Sequence, residues 1–309
     1  MVVVWITAPS LTEVSQFALR LSDRCGCLSI MTTAVVTGAS RGVGKGIARA
    51  LGAAGHEVYV TGRSTGSGVT HPVVGGTVEQ TAAEVDAAGG RGVPVVCDHT
   101  DEDQVRALFD RVAGQSDGLD LLVNNVWGGY AAYHEDRYAD MSGPFWSQPL
   151  QVWDEMFQAG VRAHYAATVL ATPLLRPGGL VVTISFFPGS YLNGDDQVAY
   201  SVAKAADDRM VAVMAAQLRE RDVTTVALYP GLVRTEGVLR AADFFDLSNS
   251  ETPEFVGRAV AALAADPGVA RFSGQCLVAA ELAAEYGFTD IDGTTPTSVR
   301  DQFAQRSSG

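Results

Sequence analysis

The chain has 309 residues, 47% hydrophobic and 18% charged, a globular balance that excludes extensive disorder. Thirty-five acidic against 22 basic side chains give a formal charge of −13 with no basic run, which argues against nucleic acid or an anionic membrane as partner. No stretch approaches the roughly 20 apolar residues needed to cross a bilayer. Four cysteines, Cys25, Cys27, Cys97 and Cys276, suit free thiols in a reducing compartment better than a disulfide framework, so the expectation is a cytoplasmic protein. The Cys25/Cys27 pair lacks a second ligand pair and the five histidines are scattered, so no metal is expected.

Residues 1–30 lack the basic start and long apolar stretch of a leader; they read as an extension, a flexible arm or a translated upstream segment, with folding starting near Met31. From Thr33 short apolar runs alternate with longer helical ones. A strand over Ala34 to Thr37, a helix over Gly44 to Gly55 and a strand over Val58 to Thr61 make a βαβ unit. A helix follows at Val78 to Ala88, a strand at Val93 to Cys97, a helix at Asp101 to Ala113 and a strand at Leu119 to Val123. Next come a long helix over Gln151 to Leu175, a strand at Leu180 to Ser185, a helix over Val198 to Arg221, a strand at Thr224 to Leu228, a helix over Pro253 to Ala265 and a strand at Gln275 to Val278. Nearly all-apolar strands belong to a parallel sheet covered on both faces. The prediction is one domain over residues 31–309, α/β, with a doubly wound (Rossmann) parallel sheet and helices on either side. Two stretches break the rhythm: Gly-rich Thr65 to Gly76, and aromatic-rich Trp127 to Pro149.

The first strand runs into Thr37, Gly38, Ala39, Ser40, Arg41, Gly42, Val43 and Gly44, then a helix. Glycines at this spacing allow a tight turn and close approach of a pyrophosphate to backbone N–H groups at the positive end of the helix. The second strand ends at Thr61, Gly62, Arg63, Ser64, without the carboxylate that would hold a ribose 2′-hydroxyl. Arg63 with Arg41 can instead cradle a 2′-phosphate, so NADP is expected over NAD. Further on, Tyr200 and Lys204 stand four residues apart, on one face of a helix. A phenol titrates near 10, and a neighbouring ammonium makes it a usable proton carrier by favouring the phenolate.

The glycine loop, Asn124-Asn125 at a strand end, the Tyr200/Lys204 pair and the segment Tyr229, Pro230, Gly231, Leu232, Val233, Arg234, Thr235 occur in that order. In this the sequence resembles the short-chain dehydrogenase/reductase superfamily over about Thr32 to Val278. Cys97-Asp98, Phe145-Trp146, Trp153-Asp154, Arg162 to Tyr165 and Ala284 to Gly293 resemble the subgroup typified by dehydrogenase/reductase member 1. The resemblance implies that Gly38, Ser40, Arg41, Gly42, Val43, Gly44 and Arg63 bind the dinucleotide, that Asp98 lies near the adenine and that Asn124 steadies the nucleotide-side strand. It further implies that Pro230, Gly231, Val233 and Thr235 approach the nicotinamide. Tyr200 is then the general acid/base for a carbonyl/alcohol pair, and Lys204 holds the nicotinamide ribose and depresses the tyrosine pKa.

Two positions depart from that pattern. Alignment by motif puts Phe186, with Phe187 beside it, where the superfamily carries a serine for the substrate oxygen; Ser185 is the expected substitute, with Ser190 also near. Gly160 stands where the family has a proton-relaying asparagine. These departures motivate an alternative, an NADP-binding sensor or scaffold without useful turnover; an epimerase or dehydratase that regenerates its nicotinamide is a third reading. Trp127, Tyr130, Tyr133, Tyr138, Phe145, Trp146, Tyr191, Phe244 and Phe245 fall in segments expected to flank the ligand edge, which suits an apolar or aromatic carbonyl or alcohol. The segments at about 127–150 and 235–254 are the expected substrate loops, the second a lid by resemblance. Resemblance also implies a homodimer or homotetramer.

Overall fold

A computed structural model describes residues 32–68, 74–129, 143–186 and 197–301. The extension, Cys25, Cys27, Tyr130, Tyr133, Tyr138, Phe187, Ser190 and Tyr191 lie outside the described residues.

Seven strands form a parallel sheet in the order β3-β2-β1-β4-β5-β6-β9. They are β1 (Thr33–Val36), β2 (Glu57–Gly62), β3 (Arg91–Val96), β4 (Leu119–Asn124), β5 (Leu175–Ile184), β6 (Thr224–Tyr229) and β9 (Cys276–Val278). The order reverses beside β1, and that switch point opens a crevice at the carboxyl ends of β1 and β4. Alternation along the strands divides the core in two. Ala34 and Val36 pack with Leu121 and Val123 on one face, while Val35 packs with Leu122 and Val181 on the other, as a period of two requires. The first face is covered by α1 (Gly42–Ala53), α2 (Val78–Ala88) and α8 (Pro253–Ala264), and the second by α3 (Glu102–Gln115) and α5 (Ala163–Ala171).

Helix starts follow capping chemistry where the helix only supports the fold. Thr77 caps α2, Asp101 caps α3, and Thr252 caps α8 with Pro253 behind it. Helix α1 has no side-chain cap from its own N-cap residue, Arg41, so its first N–H groups face the crevice.

Three predicted boundaries change. The long helix breaks into α4 (Leu150–Glu155), a π-helical segment Met156–Arg162, and α5, which stops at Ala171 rather than Leu175. Strand β5 starts at Leu175 because Leu175 pairs with Leu119 ahead of a register shift; the continuous pairing starts at Leu180. An unpredicted helix α9 (Ala279–Tyr286) follows β9 directly. It buries Ala279, Ala280, Leu282 and Ala283 and stops at Gly287, which takes φ +74°. Helix α6 (Val198–Leu218) carries Tyr200 and Lys204, as predicted. After β6 come β7 (Leu232–Val233), α7 (Glu236–Arg240) and β8 (Ser250–Glu251); Leu232 pairs with Ser250 and Val233 with Glu251. Residues 235–249 are therefore a loop closed at its base. No described helix is long and apolar enough to cross a membrane.

Candidate active site

The glycine loop leaves β1 held by main-chain bonds: Thr37 N donates to the Val123 carbonyl and Ala39 N to that of Thr61. Gly42 takes φ +55°, a left-handed conformation that costs glycine little. A Cβ on Gly44 would lie 2.4 Å from the Gly38 carbonyl oxygen and 2.5 Å from Asn125 Nδ2, so close packing of strand, loop and helix requires glycine there. Asn125 supports this packing: its Nδ2 donates to the carbonyls of Thr37 and Gly38, both at 3.1 Å, and its N–H donates to Thr37 Oγ1. Asn124, one residue earlier, is buried and ties β4 to α5 through Thr168 Oγ1 at 2.9 Å. The pair is visible in the sequence; that its second member braces the glycine loop is not.

A cavity of about 490 Å³ opens along this edge, lined by Gly38, Ser40, Arg41, Gly62, Arg63, Ser64, Cys97, Asp98, His99, Asn125, Trp127 and Gln158 among others. Arg41 is buried and donates to Ser64 Oγ at 2.5 Å. Arg63 is half-exposed, 3.7 Å from Asp98 Oδ2. His99 is buried against Thr61 Oγ1; burial pushes it down to about 4, and the neighbouring His164 adds to that. A glycine loop closely packed at Gly44, the start of α1 and two guanidinium groups along one edge fit a dinucleotide.

From the other side the Thr235 segment reaches the same loop. Thr235 caps α7, and the Glu236 carboxylate accepts from Gly42 N at 3.0 Å. Gly231 abuts Glu251: a Cβ there would meet Glu251 Oε1 at 2.8 Å. Glu251 is buried, which pushes its carboxyl up to about 7 against the opposing hydrogen bond from the Gly231 backbone. Val233 is buried in β7.

Tyr200 and Lys204 lie on α6 against the end of β5. Lys204 Nζ donates to the Ile184 carbonyl at 2.8 Å and to Asp207 Oδ2 at 3.3 Å. Tyr200 packs against the buried cluster of Val152, Met156, Ala199 and Ala203, as do Trp127, Phe157 and Val161, and the Phe186 ring stands 6.2 Å from it, centroid to centroid. Ser185 is 2% exposed and donates to the Lys204 carbonyl at 3.3 Å. The expected lowering of the tyrosine pKa is not what these residues produce by themselves. Burial pushes the Tyr200 phenol up and the Asp207 carboxylate pushes the same way, because a neighbouring anion disfavours the phenolate. Sequence reasoning passed over Asp207, and over His164, whose Nδ1 lies 2.9 Å from Asp207 Oδ1. Gly160 is buried in the π-helical segment.

The short chain dehydrogenase family model matches residues 32–243. The chain belongs to this family. The mouse protein "Dehydrogenase/reductase SDR family member 1" is 40% identical over 289 residues, covering 87% of this chain and 85% of its own length, so the chain falls in that subgroup. Among solved structures, a putative dehydrogenase from Xanthomonas campestris superposes with a TM-score of 0.72 at 29% identity, over 87% of this chain and 94% of its own. A short chain dehydrogenase from Burkholderia cenocepacia J2315 in complex with NADP superposes with a TM-score of 0.65 at 25% identity, over 80% and 95% of the two chains. The protein is an NAD(P)-dependent oxidoreductase of the short-chain type acting on small molecules.

Proposed function

We propose that this short-chain dehydrogenase is NADP-dependent and interconverts an apolar or aromatic carbonyl compound with its alcohol. The observation that carries the reading is that Trp127, which lines the Arg41/Arg63 cavity, packs against the same apolar cluster as Tyr200, that of Val152, Met156, Ala199 and Ala203. Arg63 would take the 2′-phosphate in exchange for its 3.7 Å approach to Asp98, and Arg41 with Ser64 would form the floor beneath it. The NADP complex of the Burkholderia relative supports that preference. Asn125 keeps the phosphate cradle in shape, Asn124 ties its strand to α5, and the Pro230 to Thr235 segment closes over the nicotinamide side.

When bound, the cofactor supplies or accepts the hydride. The chain's part is proton chemistry and exclusion of water: Tyr200 exchanges the proton with the substrate oxygen, and Lys204 holds the ribose with the N–H left over from Ile184 and Asp207. Phe186 takes the wall beside Tyr200 and makes it apolar, while Ser185, buried against α6, holds the helix rather than the substrate. Exposed Trp153, Tyr165 and Val169 on α4 and α5 supply the surface for a homodimer or homotetramer, and free Cys97 and Cys276 agree with a reducing, cytoplasmic setting.

The test is titration with NADPH and NADH, then a cofactor-absorbance screen over aldehydes, ketones and alcohols. Turnover with NADPH of apolar members is the expected result. Tight NADPH binding with no turnover across the panel would replace this reading with that of a nucleotide-binding protein that has lost catalysis at Phe186 and Gly160. Product without net absorbance change would mark an epimerase or dehydratase.

A further inference from the structure

Behind Lys204 lies a buried chain of charged side chains. His164 is 1% exposed and Asp207 is fully buried. His164 Nδ1 meets Asp207 Oδ1 at 2.9 Å, Asp207 Oδ2 meets Lys204 Nζ at 3.3 Å, and His164 Nε2 meets the Val126 carbonyl at 3.0 Å. A carbonyl oxygen only accepts. Asp207 only accepts as well: burial alone would raise its carboxyl, but the charges of His164 and Lys204 and their hydrogen bonds overcome this and hold it below its ordinary value. Both ring nitrogens of His164 thus face acceptors, and both bonds are made together only by the doubly protonated ring. Asp207 stands between the two, with Oδ1 towards His164 and Oδ2 towards Lys204.

The elements packed around this chain bring few other titratable groups. Tyr200 and Asp208 come from α6 itself; Asp208 is pushed up by burial. His99 comes from the loop after β3 and is held well below its ordinary value, so it is neutral near neutral pH. The strand ends contribute only the carbonyls of Ile184 and Val126. No other cation stands ready to offset Asp207 among these groups.

We propose that Asp207 and His164 are positioning residues for Lys204: Asp207 anchors the ammonium, and the His164 imidazolium offsets the Asp207 charge so that Tyr200 faces a cation rather than a neutralised pair. The inference rests on Tyr200 and Lys204 being the proton-carrying pair. It also gives the buried face around Gly160 a device of its own, since His164 is the second residue of α5, two residues after the π-helical segment ends, where such an irregular turn can re-aim a side chain.

The charge logic predicts opposite effects from two nearly isosteric changes. Asp207→Asn removes the anion while keeping an acceptor for Lys204, so the Tyr200 phenol ionises more readily. His164→Asn keeps a donor to Asp207 but removes the cation, so the phenol ionises less readily. The measurement is the tyrosinate absorbance of the NADP⁺-saturated full chain against pH, with the Tyr200→Phe trace subtracted so that only Tyr200 is read. The expected midpoint falls by about one pH unit in Asp207→Asn and rises in His164→Asn, the size of a unit charge at close range in a protein interior. Should His164→Asn not fold, His164→Gln, which retains a donor towards Val126, is expected to shift the midpoint the same way, and the Asp207→Asn fall decides in any case. Midpoints that stay put, or move together, would overturn the proposal, because a purely structural role lowers stability without separating the two signs. Full turnover in Tyr200→Phe would instead overturn the assignment of Tyr200, so the two failures are distinguishable.

Discussion

The two halves of this site are built by different means. The proposed nucleotide half is made mostly of backbone: Gly42 in a left-handed turn, Gly44 packed on the Gly38 carbonyl, an α1 without a cap from its own N-cap residue and two amide hydrogen bonds from Asn125. The proposed catalytic half is made of side chains, with Phe186 beside Tyr200, Gly160 in a π-helical segment and a His164–Asp207–Lys204 chain behind the helix. A backbone device tolerates little change because its alternatives are steric clashes, whereas a side-chain device can be rebuilt from different residues as long as charge and hydrogen bonding balance.

The sharpest way to separate the halves is Tyr200→Phe. It should cut kcat by about 10²–10⁴, the usual worth of a positioned acid/base, and leave NADPH binding within about twofold by fluorescence titration; parallel loss of binding would mean the halves are not independent. Next in size is Glu251, which sits against Gly231 at the base of the second loop. Its carboxyl ionises at about 7 in the folded chain instead of the usual 4.5, so folding favours its protonated form. That stability is fully present below pH 4.5 and is lost as pH rises through about 7, an amount of up to about 3 kcal/mol. Glu251→Gln should therefore hold its denaturant midpoint between pH 5 and 8 while the wild type falls, read by urea unfolding; parallel curves would refute the burial effect.

On the nucleotide side, Gly44→Ala should weaken NADPH and destabilise the fold by about 1–3 kcal/mol, the cost of forcing a methyl into packed backbone, seen as a lowered Tm with weaker NADPH binding. Arg63→Ala is the smaller test: about a tenfold loss for NADPH with NADH little changed, by paired titrations, and equal loss for both would remove Arg63 from the 2′-phosphate. Phe186→Ser should raise kcat by no more than about tenfold for a small ketone, since it adds one hydroxyl donor without an evolved surrounding; a fall would show that the aromatic wall itself serves catalysis.

What was legible in the sequence follows the same division. Gly38, Gly42 and Gly44 fall within seven residues, and Tyr200 and Lys204 within five, so local spacing reports their geometry. The nearly all-apolar strands alternating with helices likewise reported a parallel, doubly wound sheet, though not its strand order. His164 and Asp207 are 43 residues apart, and Glu236 reaches Gly42 across 194; no local period connects such pairs. The π-helical segment was hidden because Gln151 to Leu175 reads as unbroken helix, and its extra residue per turn leaves no compositional mark. Helix α9 was missed for a different reason: its buried alanines at helical spacing and the stop at Gly287 were both present in the sequence, but the preceding strand runs into it without a loop to separate them.

The carboxylate of Glu236 rests on Gly42 N, at the N-terminus of α1 and one residue from the cavity-lining Arg41. An internal anion in that position is a tethered competitor: any phosphate that takes the amide must first evict it, and the affinity a titration measures is the difference between the two occupants rather than the strength of either. A small inorganic anion gains too few contacts to win that exchange, while a dinucleotide, held at several points along the same edge, recovers the cost elsewhere. On the proposed reading, the cradle would thereby discriminate by the length of the ligand as well as by its charge.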